Sequence, residues 1–102
     1  MLFRSNAHAH TPMTLVRSAG DGMPLQQWLT DAIWPREGRM TPEDAWWGMS
    51  LGSAEMLLAG VTTSCEMYLF EQQMVDAIEA ITGLEAVHGE VHRIRVETLD
   101  GA

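Results

Sequence analysis

Two histidines near the start of the sequence, His8 and His10, have the residue type and spacing of a metal-binding pair. On a β-strand, residues two apart point to the same side, with Cα atoms about 6.5–7 Å apart. Two imidazole nitrogens at that spacing can close onto one cation. The alternative is a strand edge that carries two histidines and binds nothing, and the spacing alone favours this alternative.

Other residues of chemical interest give weaker signals. His88 and His92 share a face in a helix or a strand and could complete a four-histidine site, although solvated histidines are the simpler interpretation. Cys65 is the single cysteine, and on a strand it is typical of inert packing. We expect the four tryptophans to lie mainly in the core: Trp28, Trp34, Trp46 and Trp47.

The histidine pair requires a strand to position it, and the sequence predicts one over residues 1–10. Proline cannot donate to a ladder, so Pro12 ends this strand. Residues 13–23 are expected to be irregular. A short amphipathic helix is predicted over residues 24–33, with Pro35 stopping it and a loop over residues 36–40.

In the second half of the chain, the sequence pattern predicts a helix, a strand and another helix. Thr41 caps a long helix that extends to residue 59, and this helix is apolar on two faces, so it needs partners on both. A β-branched strand over residues 61–68 and a one-sided helix ended by Gly83 follow. Residues 91–98 alternate between apolar and polar side chains, as a third strand would. This order predicts a parallel α/β arrangement.

Size and composition narrow the classes of protein. The chain has 102 residues, of which 46% are hydrophobic, and we expect a single partial domain over residues 1–102. A complete barrel of eight (β/α) units needs at least roughly 200 residues. The net charge of -8 argues against binding nucleic acid, and no apolar run suits a membrane span. One cysteine favours a reducing, cytoplasmic location.

The sequence resembles the amidohydrolase superfamily, in its hydrolytic deaminase and chlorohydrolase branch, and above all the 5-methylthioadenosine/S-adenosylhomocysteine deaminase group. The resemblance covers about residues 6–82, in order and without gaps, and leaves residues 83–102 unassigned. It is carried by these segments: 6–13, 24–29, 33–37, 41–44, 54–57, 60–63 and 67–68.

The resemblance implies a fold and a set of site residues. The fold would be α/β, an incomplete, partial TIM-barrel-like set of (β/α) units. His8 and His10 would bind a divalent metal, zinc or else iron, and Glu37 would hold a substrate through ribose hydroxyls. An exposed acid in a loop suits a contact to a diol; the alternative for Glu37 is a solvated carboxylate paired with Arg36 or Arg39.

The resemblance also implies a reaction, namely hydrolytic deamination or dechlorination of a purine-like, nucleoside-like or other heteroaromatic small molecule by metal-activated water. The remaining metal ligands and the acid–base groups of the family come from later strands, and Glu66 stands where relatives more often have Asp. We therefore expect the isolated chain to lack a complete active site. The alternative function is an inactive metal-binding or oligomerisation module, in which copies of the chain cover the two-faced helix.

Overall fold

The computed structural model describes residues 4–83, which alternate between strands and helical segments. The predicted third strand, His88 and His92 lie outside the described residues. The elements are β1 Arg4–Ala9, a 3₁₀ helix Thr11–Val16, α1 Leu25–Gln27, a π-helical segment Trp28–Ile33, α2 Trp34–Glu37, α3 Pro42–Leu58, β2 Val61–Glu66 and α4 Glu71–Thr82.

The two strands pair in parallel, as the order of elements predicts. Arg4 lies opposite Val61 at one end of the pair and Ala9 lies opposite Glu66 at the other, with irregular register between them. The carboxyl ends of both strands therefore meet at one edge of the sheet. Within residues 4–83 no helix is both long and apolar enough to cross a membrane.

Helix α3 forms as its sequence predicts. The Thr41 hydroxyl accepts from the Asp44 backbone N–H, and the Asp44 carboxylate accepts from the Thr41 backbone N–H, which together make a capping box. After the helix, Gly60 has a φ of 82°, a left-handed conformation that glycine adopts without a steric penalty. The helix thus begins and ends at residues whose chemistry satisfies its exposed backbone groups.

The core lies between α3 and α4. Met49 of α3 is fully buried and belongs to one cluster with Met74 and Ile78 of α4. Within residues 4–83 the opposite face of α3 has no such cover, because Trp47 is 58% exposed and Leu58 is 90% exposed. The two apolar faces of α3 are confirmed, but only one of them is packed within the described part of the chain.

Two sequence-based expectations about the first half of the chain are wrong. Residues 13–23 are not wholly irregular, because a 3₁₀ helix extends to Val16. Pro35 does not stop the preceding helix, which continues to Glu37. A proline lacks an N–H, and it is tolerated here because it lies at the start of α2, directly after the π-helical segment has changed the hydrogen-bonding register.

The prediction that the tryptophans lie in the core is also wrong for two of them. Trp34 is 52% exposed, and Trp47 is exposed to a similar degree. A pattern of large apolar residues indicates a need for burial, but it does not say whether this stretch of chain supplies the covering surface.

Two glycines of α3 allow the segment after β1 to approach the helix closely. A Cβ atom at Gly48 would overlap the Pro12 carbonyl oxygen, and one at Gly52 would overlap the Thr11 side chain. Only glycine at these positions permits the observed packing. The residues that directly follow His10 are therefore held against α3.

Candidate metal and substrate site

The two histidines of the predicted metal pair lie side by side at the carboxyl end of β1. Their Nε2 atoms are 3.3 Å apart, and the ring centroids are separated by 4.8 Å with the planes inclined at 72°. Both side chains are exposed. The strand geometry therefore places the two rings on one side of the chain with the same nitrogen of each turned toward the other.

This nitrogen separation fits a shared tetrahedral ion. Two nitrogens that each bind zinc at about 2.0–2.1 Å with tetrahedral angles lie about 3.3–3.4 Å apart. Imidazole nitrogen is also a ligand that zinc and iron accept. The donor set of His8 and His10 therefore fits two coordination positions of a divalent metal. Among residues 4–83, no three or more His, Cys, Asp and Glu side chains are grouped so as to hold one ion.

Glu37 is the last residue of α2 and not part of a loop, which corrects the expectation from the sequence. Its Oε1 atom accepts a hydrogen bond of 2.9 Å from the Tyr68 hydroxyl. The neighbouring Arg36 guanidinium donates instead to the Ala32 carbonyl oxygen at 2.7 Å. The carboxylate of Glu37 is therefore oriented by a phenol that comes from beyond β2.

Tyr68 connects Glu37 to the histidine pair. Its ring centroid lies 5.8 Å from that of His10, with the planes inclined at 38°. Burial raises the pKa of the Tyr68 phenol, and the hydrogen bond to the Glu37 carboxylate raises it further. The phenol therefore stays protonated and continues to donate to Glu37 across the physiological pH range.

An open cleft of about 640 Å³ is lined by His10, Glu37 and Tyr68. Its walls are mainly apolar and come from the π-helical segment, α2 and the residues after β2: Trp28, Leu29, Ile33, Trp34, Met67 and Leu69. A cleft with apolar walls and a few convergent polar groups is the usual form of a small-molecule site.

A buried carboxylate contacts Thr11, the residue that directly follows the histidine pair. Glu66, the last residue of β2, is 0% exposed. It accepts hydrogen bonds from the Thr11 backbone N–H at 2.9 Å, from the Thr11 hydroxyl and from the Ser64 hydroxyl at 2.9 Å. These neutral donors compensate the cost of removing a carboxylate from water.

The structure places His8, His10 and Glu37 near one another, and it adds Tyr68 and Glu66 to the candidate site. These two are recognised from contacts between distant parts of the chain. Tyr68 bonds Glu37, which is 31 residues away, and Glu66 bonds Thr11, which is 55 residues away. A sequence signal was available for Tyr68, since a polar aromatic residue directly after a strand is placed at the edge where sites form. Cys65 is half-buried on β2.

Comparison with known proteins extends these observations. The model of the amidohydrolase family matches residues 5–98. The 5-methylthioadenosine/S-adenosylhomocysteine deaminase of Carboxydothermus hydrogenoformans is 46% identical over 82 residues, which cover 80% of this chain and 19% of that protein. The deaminase of the same name from Syntrophobacter fumaroxidans is 46% identical over 86 residues. The chain spans about a fifth of the length of these relatives.

A solved structure matches as well. An adenosine deaminase from Xanthomonas campestris, solved with bound zinc, superimposes with a TM-score of 0.71 at 40% identity. The match covers 74% of this chain and 18% of that one. The expected α/β class and the expected likeness to the deaminase branch are thereby confirmed.

Proposed function

This chain belongs to the amidohydrolase family, and we propose that it supplies part of the site of a metal-dependent hydrolytic deaminase. In this proposal His8 and His10 are two ligands of a divalent metal, zinc in the first instance, and Glu37 binds the substrate. The substrate class is a purine nucleoside or a similar heteroaromatic small molecule. The names of the curated relatives, which are deaminases of adenosine derivatives, support this choice.

The observation that carries the proposal is the separation of 3.3 Å between the two Nε2 atoms. It matches the spacing of two nitrogens on one tetrahedral zinc ion, about 3.3–3.4 Å. The competing interpretation is a hydrogen bond between one neutral imidazole and the other. That bond would be long, since N–H donors usually lie about 2.7–3.2 Å from their acceptors.

A divalent metal at this pair would lower the pKa of water and so supply a nucleophile at neutral pH. The chain's own residues perform the binding. The Glu37 carboxylate can accept from two adjacent hydroxyls of a ribose, while Tyr68 fixes its orientation from the other side. The aromatic walls of the cleft, Trp28 and Trp34, offer flat apolar surface to a planar base.

Thermal unfolding with and without zinc tests the metal assignment. A ligand that binds the folded chain raises its Tm, so we expect zinc to stabilise the wild-type chain. The His8→Ala/His10→Ala variant should lose that shift. The His88→Ala/His92→Ala variant is the matched control and should keep it. A zinc-dependent shift that survives in the His8→Ala/His10→Ala variant would refute the assignment.

A second candidate function is a metal-binding module without catalytic activity. Its support is that the described residues gather only two ligands, whereas a catalytic zinc site uses about three protein ligands and an open position. Binding of 5-methylthioadenosine to the chain with zinc distinguishes the candidates. Part of a deaminase site should bind it, and Glu37→Gln should weaken that binding, whereas a module without a substrate site should bind none. We expect no ammonia release from the chain alone, because residues 4–83 group only two metal ligands.

A further inference from the structure

The wholly buried carboxylate of Glu66 has a specific set of partners. A buried carboxylate is tolerated only when hydrogen bonds replace its lost hydration. Three donors are within bonding distance, and two of them belong to Thr11: its backbone N–H and its hydroxyl. The third is the hydroxyl of Ser64. Bonds to a charged acceptor are stronger than bonds between neutral groups, so Glu66 holds Thr11 firmly.

The Thr11 N–H belongs to the peptide group that also contains the His10 carbonyl. That carbonyl oxygen accepts from the Met13 N–H at 2.9 Å, so both polar ends of this peptide group are fixed. On the other side of His10, the Ala9 carbonyl oxygen accepts from the Met67 N–H at 3.1 Å. The consecutive residues Glu66 and Met67 therefore hold the peptide groups that flank His10.

Helix α3 closes the opposite side of the same segment. Because a side chain at Gly52 would overlap Thr11, the helix backbone lies directly against it. Thr11 is thus enclosed between α3 and the Glu66 carboxylate. Packing against α3 limits where the segment lies, while the carboxylate determines how the His10–Thr11 peptide group is oriented.

We infer that Glu66 is a positioning residue for the metal ligand His10. By binding the Thr11 N–H, it sets the direction in which the His10 side chain leaves the backbone, and hence the short distance between the two Nε2 atoms. The inference rests on the proposed function for the meaning of that distance. The positioning itself can be measured without a metal.

The first test is the nuclear Overhauser effect between the ring protons of His8 and His10 in the metal-free chain. The ring centroids are 4.8 Å apart, so the wild-type chain should show it. Glu66→Gln keeps the side-chain volume but replaces an accepting oxygen by an NH₂ group, and we expect the effect to be lost. Ser64→Ala is the matched control, since it removes a bond to the same carboxylate without touching Thr11, and it should retain the effect.

The second test is titration with cobalt(II), whose visible absorption reports nitrogen ligation. Loss of a residue that orients a ligand lowers metal affinity about 10–100-fold, and for Glu66→Gln we expect a loss of about tenfold. Ser64→Ala should bind cobalt(II) as the wild type does. If both variants lose affinity equally, or if Glu66→Gln loses neither affinity nor the ring-proton effect, the inference is overturned.

The two proposals fail in different ways. Absence of cobalt(II) binding by the wild-type chain would refute the metal assignment, and the ring-proton measurement would then decide the role of Glu66 alone. If Glu66→Gln does not fold by circular dichroism, Glu66→Asp takes its place, because it keeps the charge and withdraws the carboxylate by one methylene from the Thr11 N–H. A Glu66→Asp chain with unchanged ring-proton effect would overturn the inference as well.

Discussion

At the scale of single residues, Tyr68 connects the two halves of the candidate site. Its hydroxyl donates to Glu37, and its ring lies beside that of His10. One side chain thus orients the proposed substrate carboxylate and forms a wall next to a proposed metal ligand. A change at Tyr68 should therefore alter both proposed functions of the site together.

Because Tyr68 is the single tyrosine of the chain, its ionisation can be followed directly by tyrosinate absorbance. The folded-state pKa is raised above the ordinary value of 10.0, first by burial and then by Glu37. Folding therefore suppresses ionisation, and the free energy of unfolding should fall as the pH rises above about 10. The measurement is an absorbance titration together with urea unfolding at several pH values.

Glu37→Gln is the matched variant for this titration. It removes the charge that contributes to the raised pKa and leaves the burial of the ring in place, so the pKa of Tyr68 should move down toward its ordinary value. A Tyr68 that ionises in the folded chain as a free tyrosine does would contradict the contact with Glu37.

At this scale the sequence predicts what depends on local spacing. His8 lies on β1 and His10 directly follows it, so the two-residue spacing predicts that both rings lie on one side of the chain. The contact between Glu37 and Tyr68 joins two elements that are distant in the chain. Such a contact depends on where the end of α2 lies relative to the residues after β2, which no local pattern specifies.

At the scale of elements, the helical stretch over residues 25–37 continues past a proline. Pro35 has the sequence signature of a helix end, yet helical structure continues to Glu37 through a change to π geometry over Trp28–Ile33. This continuation places Glu37 at the end of a helix, beside the cleft. The sequence pattern predicts the helix but not the π-helical segment, whose last two residues, Ala32 and Ile33, are buried.

Gly48→Ala tests the close approach of α3 to the segment after β1. Alanine favours helices over glycine by about 1 kcal/mol, but here its Cβ would collide with the Pro12 backbone. Overpacking costs about 1–3 kcal/mol, so we expect the free energy of unfolding to decrease in urea titration.

Gly38→Ala is the control for Gly48→Ala. Its nearest neighbour for a Cβ is 3.3 Å away, at the Trp34 carbonyl oxygen, and its φ is negative at -62°. The stability of this variant should stay within about 1 kcal/mol of wild type. Equal stability of the two variants would show that α3 does not pack as closely as described.

The capping box of α3 should make stability depend on pH. Hydrogen bonds from Thr41, the backbone N–H first, hold the pKa of Asp44 below its ordinary value of 3.8. A carboxyl group whose pKa is lower in the folded state stabilises the fold at pH values above its unfolded-state pKa. This contribution is lost as the pH falls through the folded-state pKa. Asp44→Ala should therefore be less stable than wild type at neutral pH, and the difference should shrink in acid.

Urea unfolding at several pH values checks this expectation. Asp44→Asn serves as the control because it keeps one accepting oxygen and carries no titrating charge, so its stability should not vary with ionisation at this position. A gap between wild type and Asp44→Ala that remains constant into strong acid would rule out the contribution of the carboxylate.

At the scale of the whole molecule, the described chain has a core on one side of α3 and apolar side chains facing outward on the other. The sequence predicts both faces, since each follows from helical periodicity. It does not predict which face is covered, because that depends on elements far away in the chain. The parallel pairing of β1 and β2, in contrast, follows from the order of elements.

Paired substitutions on the two faces test this arrangement. Met49 is 0% exposed, and Met49→Ala should lower the free energy of unfolding by about 2–5 kcal/mol. Leu58 is 90% exposed, and Leu58→Gln should change it by no more than about 0.5 kcal/mol. Similar losses for both variants would show that the outward face is covered in solution, for example by a second copy of the chain.

The two-strand sheet has a consequence for isotope labelling. In a parallel pair, successive residues of each strand direct their peptide groups alternately toward the partner and away from it. Within residues 4–83 the sheet contains only β1 and β2, so in each strand every second amide faces away from the pair. When the chain is transferred into heavy water, slow and fast deuterium uptake should alternate along each strand except where the register shifts, between Arg4 and Ser5 and between Asn6 and Ala9.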